Sequence, residues 1–202
     1  YGTRPEYLKL INIIKLIPKE KREVIFVGQH NELIHNNYFT KKIKINKSSK
    51  NNRLNSIISQ ITKGIDLDSY DYIMIQGDTA TTFGVAIAAF NNKKKIIYVE
   101  SGLRTFDFSN PFPEEGYRQM ISRISDIHLC PTILSKKNLI SEKNKGKIFV
   151  SGNTSLDNLL TYKKDIQYTN TILITLHRRE NLSQISNWFY ALDNIAKKYK
   201  EI

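Results

Sequence analysis

Cysteine is almost absent from this 202-residue chain: Cys130 stands alone, which excludes an internal disulfide and a cysteine-only metal cage. No His, Cys and Asp spacing suggests zinc, so no metal is expected. No apolar run approaches the ~20 residues of a membrane span. The opening Tyr-Gly-Thr-Arg-Pro-Glu lacks a secretion-signal pattern, which makes the cytoplasm the default compartment and a membrane no partner. Neither a G-x-G-x-x-G fingerprint nor a G-x-x-x-x-G-K-[ST] loop occurs, so bound NAD is not indicated and no cofactor is expected. Acidic residues are scarce: 31 Lys and Arg face 19 Asp and Glu, a net charge of +12. The basic residues are spread over helix flanks and loops. They form no aromatic-interleaved stripe and no nucleic-acid module, so nucleic acid is not an expected partner. An anionic small substrate fits the charge as well.

What is present is a regular alternation of short apolar runs and helical patterns. Tyr72 to Gln76 and Ile96 to Val99 read as buried parallel strands. Between them, Thr79 to Phe90 reads as a crossover helix. Helices are also expected over Pro5 to Ile14, Leu54 to Ile61, Glu115 to Ser125, Pro131-Thr132 to about Glu142, the stretch after Thr154 to about Lys163, and roughly Ser183 to Tyr199. Further strands are expected at Glu23 to Val27, Ile127 to Cys130, Lys147 to Val150 and Ile172 to Leu176, with a short edge strand at Phe39 to Ile45. This pattern predicts an α/β fold with a doubly wound, Rossmann-like parallel sheet over residues 1–165. The start of a second such domain follows over residues 166–202, after a polar linker, Lys164 to Asn170. Gly2-Thr3-Arg4 reads as the loop after a strand that this chain lacks. One strand and one helix cannot cover each other's apolar faces. A fragment of a longer protein is therefore expected.

Chemistry concentrates where strands end. In open α/β sheets, reactive groups lie just past the carboxyl ends of the strands. Asp78 and Glu100 sit there, and Glu114 and Glu115 follow on a Pro-punctuated loop. Each has a plainer reading. Asp78 suits a helix N-cap, Glu100 suits a structural pair with Arg104 or Arg118, and Glu114 and Glu115 suit the first turn of a helix. Arg4 and Lys9 stand near the start of the first helix, where anions are favoured. His177-Arg178-Arg179-Glu180 leaves the last strand on a turn suited to phosphate. Gln29-His30 and Gly152-Asn153-Thr154 end strands on the same rim. His128 reads as a core or sheet-surface residue, and Cys130 as a small buried hydrophobe.

The blocks GTRPEYLK, VGQH, QGDTATT, VESGLRT, PEEGYRQMISRISD, IFVSGNTSLD and LHRREN, in this order, resemble the non-hydrolysing bacterial UDP-N-acetylglucosamine 2-epimerases. The resemblance covers nearly the whole chain. It implies the first half of a glycosyltransferase-B-like enzyme with two Rossmann-like domains, lacking most of the first strand and nearly all of the second domain. It implies interconversion of UDP-GlcNAc and UDP-ManNAc by anti elimination of UDP to 2-acetamidoglucal and re-addition, in the supply of cell-surface polysaccharide precursors. It implies catalytic roles for Asp78, Glu100, Glu114 and His177, and contacts to the UDP-sugar substrate from Arg4, Lys9 and Arg178. It also places the Gln29-His30 region near a second UDP-GlcNAc site that activates some members, and implies a homodimer at full length. A hydrolysing epimerase, an epimerase acting on another UDP-2-acetamido sugar such as a diacetamido uronic acid, a two-domain glycosyltransferase and a non-catalytic nucleotide-sugar sensor remain alternatives.

Overall fold

The computed structural model describes residues 1–28, 39–45, 53–160, 171–175 and 184–199. The chain divides into two units, Tyr1–Tyr162 and Lys163–Ile202. The first unit runs α1 (Arg4–Leu16), β1 (Ile25–Gly28), β2 (Lys41–Lys44), α2 (Arg53–Gly64), β3 (Tyr72–Gln76), α3 (Ala80–Asn91), β4 (Lys95–Val99), α4 (Glu114–Ile124), β5 (Ile127–Cys130), α5 (Ile133–Ser141), β6 (Lys147–Val150) and α6 (Thr154–Leu160). β1 and β2 pair in parallel, and β3, β4, β5 and β6 form a parallel sheet in sequence order. Parallel neighbours cannot be joined by a tight turn. The helices α3, α4 and α5 supply the crossovers, which makes this the expected α/β Rossmann-like architecture.

Tyr1 lies along the free edge of β1. Its nitrogen donates to the Ile25 carbonyl at 3.0 Å, and its own carbonyl accepts from Val27 N–H at 2.8 Å, the pattern of a parallel bridge. An apolar cavity of about 350 Å³ separates β1 from β3, lined by Ile25 and Val27 on one side and Tyr72 and Ile73 on the other. The Tyr1 hydroxyl is buried with no partner among the described residues, and burial pushes its phenol up to about 12.

The core explains why α3 is so rich in alanine. Ala88 packs into a cluster with Val27, Ile57 and Ile61, while Ala86 and Ala89 belong to another with Ile75, Ile96 and Ile121. Small side chains let one helix be covered on both sides. Gly84 extends this: a Cβ there would meet Ile57 Cγ2 at 2.7 Å, so glycine sets how closely α2 approaches. Ile57, Ile61, Ile96 and Ile121 are fully buried, and truncating any of them to alanine would cost about 2–5 kcal/mol.

In the second unit α7 (Ile185–Lys198) matches the expected helix. The expected strand at Ile172 to Leu176 is corrected: residues 171–175 carry no strand, and Leu176 lies outside the described residues. A strand exists only through its ladder to a neighbour, and among the described residues none pairs with this segment. The polar stretch 164–170 also lies outside the described residues.

Candidate active site

The carboxyl ends of β3 and β4 lie side by side, with Gln76 opposite Val99 in the register. The chain leaves β3 through Gly77, at φ +79°, so that the next residues turn away from the strand. Thr79 caps α3, accepting from Thr82 N–H at 3.2 Å. Asp78 is therefore not the N-cap that its position allowed, and its carboxylate is free for another use. Arg118, on α4, takes it: Nε and Nη2 reach Oδ2 at 2.7 and 2.6 Å.

Glu100 follows β4 directly and adopts φ +66°, a left-handed conformation that costs a non-glycine residue about 1–3 kcal/mol and tends to occur at functional sites. The strained backbone turns the carboxylate away from Arg104 and Arg118, the partners its sequence position suggested. Lys9 instead donates to both of its oxygens, at 2.9 and 2.6 Å, and the buried Gln76 amide donates to Oε2. Arg104 is engaged elsewhere, in a buried pair with Glu142.

Arg4, Lys9, Gln76 and Asp78 line one cavity of about 390 Å³. Thr3, Pro5 and Glu6 also line it, so the N-terminal end of α1 opens into it, which favours an anion. Arg4 is exposed and makes no ion pair among the described residues. Lys9 thus lines the cavity while its ammonium is held by Glu100, a pairing that its sequence position did not suggest.

Glu114 is the first residue of α4, four positions before Arg118. It is not in the lining of that cavity, and no bond joins it to Asp78 or Glu100. Its Oε2 is buried with no partner among the described residues. A buried carboxylate oxygen without a donor costs about 1–3 kcal/mol, so it calls for an explanation. Glu115 differs. It is fully buried and accepts from the Thr105 and Phe106 N–H groups, Gln119 and Arg118. Burial pushes its carboxyl up, but these hydrogen bonds and the nearby Arg104 charge win and hold it below the usual range. Glu115 anchors the loop after β4, which leaves Glu114 as the acid with spare capacity.

His128 lies in the core, as its position within β5 suggested. Its Nε2 faces the Lys145 carbonyl at 2.9 Å, so it donates there, and Nδ1 accepts from the Ser101 hydroxyl at 2.9 Å. Cys130 is buried, and burial raises its thiol to about 11. His177, Arg178, Gln29 and His30 lie outside the described residues.

Two residues of the site, Glu6 and Gln76, were not singled out in the sequence, and Arg118 was named only as a possible partner of Glu100. Arg118 had a visible signal, since it stands four positions after Glu114 on one helix. Glu6 had one too, the T-x-x-E spacing of a capping box from Thr3. Gln76 had none beyond ending a strand. Among the described residues no group of His, Cys, Asp and Glu could hold a metal ion. No described helix is long and apolar enough to cross a membrane.

The family model for UDP-N-acetylglucosamine 2-epimerase matches residues 17–202. A UDP-N-acetylglucosamine 2-epimerase of Bacillus subtilis is 33% identical over 224 aligned residues, covering 100% of this chain and 59% of that protein. A Neisseria meningitidis UDP-GlcNAc 2-epimerase structure bound to UDP-GlcNAc superposes with a TM-score of 0.71 at 33% identity, over 79% of this chain and 47% of the other. A Methanocaldococcus jannaschii UDP-GlcNAc 2-epimerase in complex with UDP-GlcNAc and UDP gives a TM-score of 0.78 at 28% identity, over 98% and 62%. The chain spans about 60% of the length of the curated relatives it matches, 59%, 62% and 59% for three of them.

Proposed function

The chain belongs to the UDP-N-acetylglucosamine 2-epimerase family, and we propose that the full-length protein interconverts UDP-GlcNAc and UDP-ManNAc without releasing free sugar. One observation supports this most: Arg4, Lys9 and Asp78 share a cavity, and Glu100 is bound to Lys9 on its wall. Cations and carboxylates are thus interleaved at one anion-favouring rim.

The chemistry needs both. The C2 proton of the sugar has no carbonyl beside it, so plain deprotonation is hard. In the proposed route a carboxylate takes the C2 proton as the C1–O bond to UDP breaks, leaving a C1=C2 double bond in 2-acetamidoglucal. UDP oxygen then re-forms the bond to C1 while an acid delivers a proton to the other face of C2. General acid–base help supplies roughly 10²–10⁴ in rate, which alone cannot rescue so weak a carbon acid. Electrostatic stabilisation of the departing diphosphate supplies the rest. Arg4, Lys9 and the α1 N-terminus suit that task, and the family resemblance assigns His177 and Arg178, outside the described residues, to it as well. Asp78, Glu100 and Glu114 are the acids and bases.

The test is incubation of the full-length protein with UDP-GlcNAc in D₂O. Deuterium at C2 of both UDP-GlcNAc and UDP-ManNAc, with no free sugar, is the expected result. Free ManNAc would make it a hydrolysing enzyme, and unlabelled, unchanged UDP-GlcNAc would overturn the reading.

A further inference from the structure

Two loops form the floor of the cavity, and one buried side chain ties them together. Glu6 is 4% exposed. Its Oε2 accepts from the Gly2 N–H at 2.6 Å and its Oε1 from the Thr79 hydroxyl at 2.8 Å. In an ordinary capping box the glutamate returns to the N-cap residue's own N–H. Here the N-cap is Thr3, and Glu6 reaches one residue further back, to Gly2, with its other oxygen left for α3's N-cap, Thr79. The same two loops also touch directly: a Cβ on Gly2 would lie 2.5–2.7 Å from the side chain of the buried Thr81. Thr79 passes the restraint on, since its hydroxyl lies 3.2 Å from that of Thr82, which donates to the Gln76 carbonyl at 2.8 Å. Arg4 leaves the first loop and Asp78 precedes Thr79 in the second.

We propose that Glu6 is a positioning residue that locks the Gly2–Arg4 loop to the Asp78–Thr79 turn and so fixes the spacing between the cation and the carboxylate that share the cavity. The proposal rests on the function given above for the identity of the anion, UDP, but not for the lock itself. Both bonds are accepted by the Glu6 carboxylate. A glutamine can keep them, accepting from Gly2 N–H and donating to Thr79 Oγ1, whereas an alanine keeps neither. Thr79→Val removes the hydroxyl and retains the shape.

The experiment uses the full-length protein: UDP titration by calorimetry, steady-state kinetics with UDP-GlcNAc and thermal unfolding, on Glu6→Ala, Glu6→Gln, Thr79→Val and the Glu6→Ala/Thr79→Val double variant. Glu6→Ala and Thr79→Val are each expected to weaken UDP by about tenfold or more and to lower kcat, as displacement of site groups by about an ångström does. Glu6→Gln should stay within about threefold of wild type, and the double variant should lose less UDP affinity than the two single losses combined, because Glu6 and Thr79 share one bond although each also makes another, to Gly2 and to Thr82 N–H. A lowered Tm with unchanged UDP affinity and kcat in folded Glu6→Ala would make the residue merely structural and overturn the proposal. So would additive losses in the double variant. If Glu6→Ala does not fold, Thr79→Val against Glu6→Gln decides the same point. Wild-type protein that binds UDP but leaves UDP-GlcNAc unchanged defeats the proposed activity alone, and the UDP titrations still decide on Glu6. Wild-type protein that fails to bind UDP defeats both.

Discussion

Arg118 places two nitrogens on a single oxygen of Asp78, Nε at 2.7 Å and Nη2 at 2.6 Å from Oδ2, while Oδ1 makes no bond among the described residues. Burial works against the Arg118 charge, but the Asp78 charge and hydrogen bond outweigh it and raise the guanidinium further. The pair therefore keeps Asp78 oriented with one oxygen free. Arg118→Met in the full-length protein should lower turnover by at least about tenfold, and Arg118→Lys should not restore it, because an ammonium cannot reproduce the planar fork. Both groups are partly exposed, at 18% and 27%, so the stability loss should be only about 1–2 kcal/mol, below the usual figure for a buried pair. Urea unfolding and initial rates measure the two effects. Full activity in Arg118→Lys would show that orientation of Asp78 does not matter.

The three acids are expected to matter for rate more than for binding. Asp78→Asn, Glu100→Gln and Glu114→Gln should each reduce kcat by roughly 10²–10⁴, with UDP affinity changed only a few-fold. Glu100→Gln has a second expected effect. The amide turns one donor toward either Lys9 or Gln76, both of which are donors there, so the φ +66° conformation loses part of what holds it. Calorimetry with UDP and steady-state rates on the same preparations separate chemistry from binding. Near-normal kcat in all three variants would remove the acid–base assignment.

Gly102 tests the backbone at the end of β4. Its φ is +87°, and a Cβ would run into the carbonyl oxygen of Ser135 at the start of α5. Gly102→Ala should thus incur both a left-handed backbone penalty and a backbone clash, a loss of about 2–4 kcal/mol that few surface substitutions reach. Gly116→Ala is the control: it lies within α4, and its Cβ would meet only Phe108 and Met120 side-chain atoms at 3.8 and 3.9 Å. That change should be neutral or mildly stabilising. Equal denaturation midpoints for the two variants would contradict the structure of the loop.

Much of this site was legible because parallel strands put their ends on one rim, and strand ends are marked by where apolar runs stop. β3, β5 and β6 begin and end where their apolar runs do, and β4 starts one residue earlier, at Lys95. Asp78 and Glu100 follow from that. Their partners do not, because a partner is chosen by backbone direction. Left-handed φ at Glu100 sends the carboxylate to Lys9, 91 residues away, past two nearer arginines. Thr79 likewise outcompetes Asp78 as N-cap because Gly77 shifts the turn by one residue. Ile172 to Leu176 reads as a strand from composition, yet residues 171–175 carry none, because a ladder is a property of two segments.

His128 gives the protein an acid-sensitive window that its carboxylates do not share. The imidazole is buried between Ser101 and the Lys145 carbonyl, and burial lowers its pKa below the usual 6.5. A group whose folded pKa is depressed leaves the unfolded chain binding more protons below 6.5. Its contribution is thus complete above about pH 6.5 and is lost as pH falls through the lower, folded value. Glu115 and Glu142, both held below 4.5, add a second window that opens only below that pH. Urea unfolding of the wild-type protein should therefore show stability declining between pH 7 and 5. In His128→Asn this first decline should shrink, because asparagine can accept from Ser101 through its oxygen and carries no titrating proton. The later loss, below about pH 4.5, should remain in both. A wild-type curve that is flat from pH 7 to 5 would mean that the imidazole is protonated at no cost to the fold, against its burial.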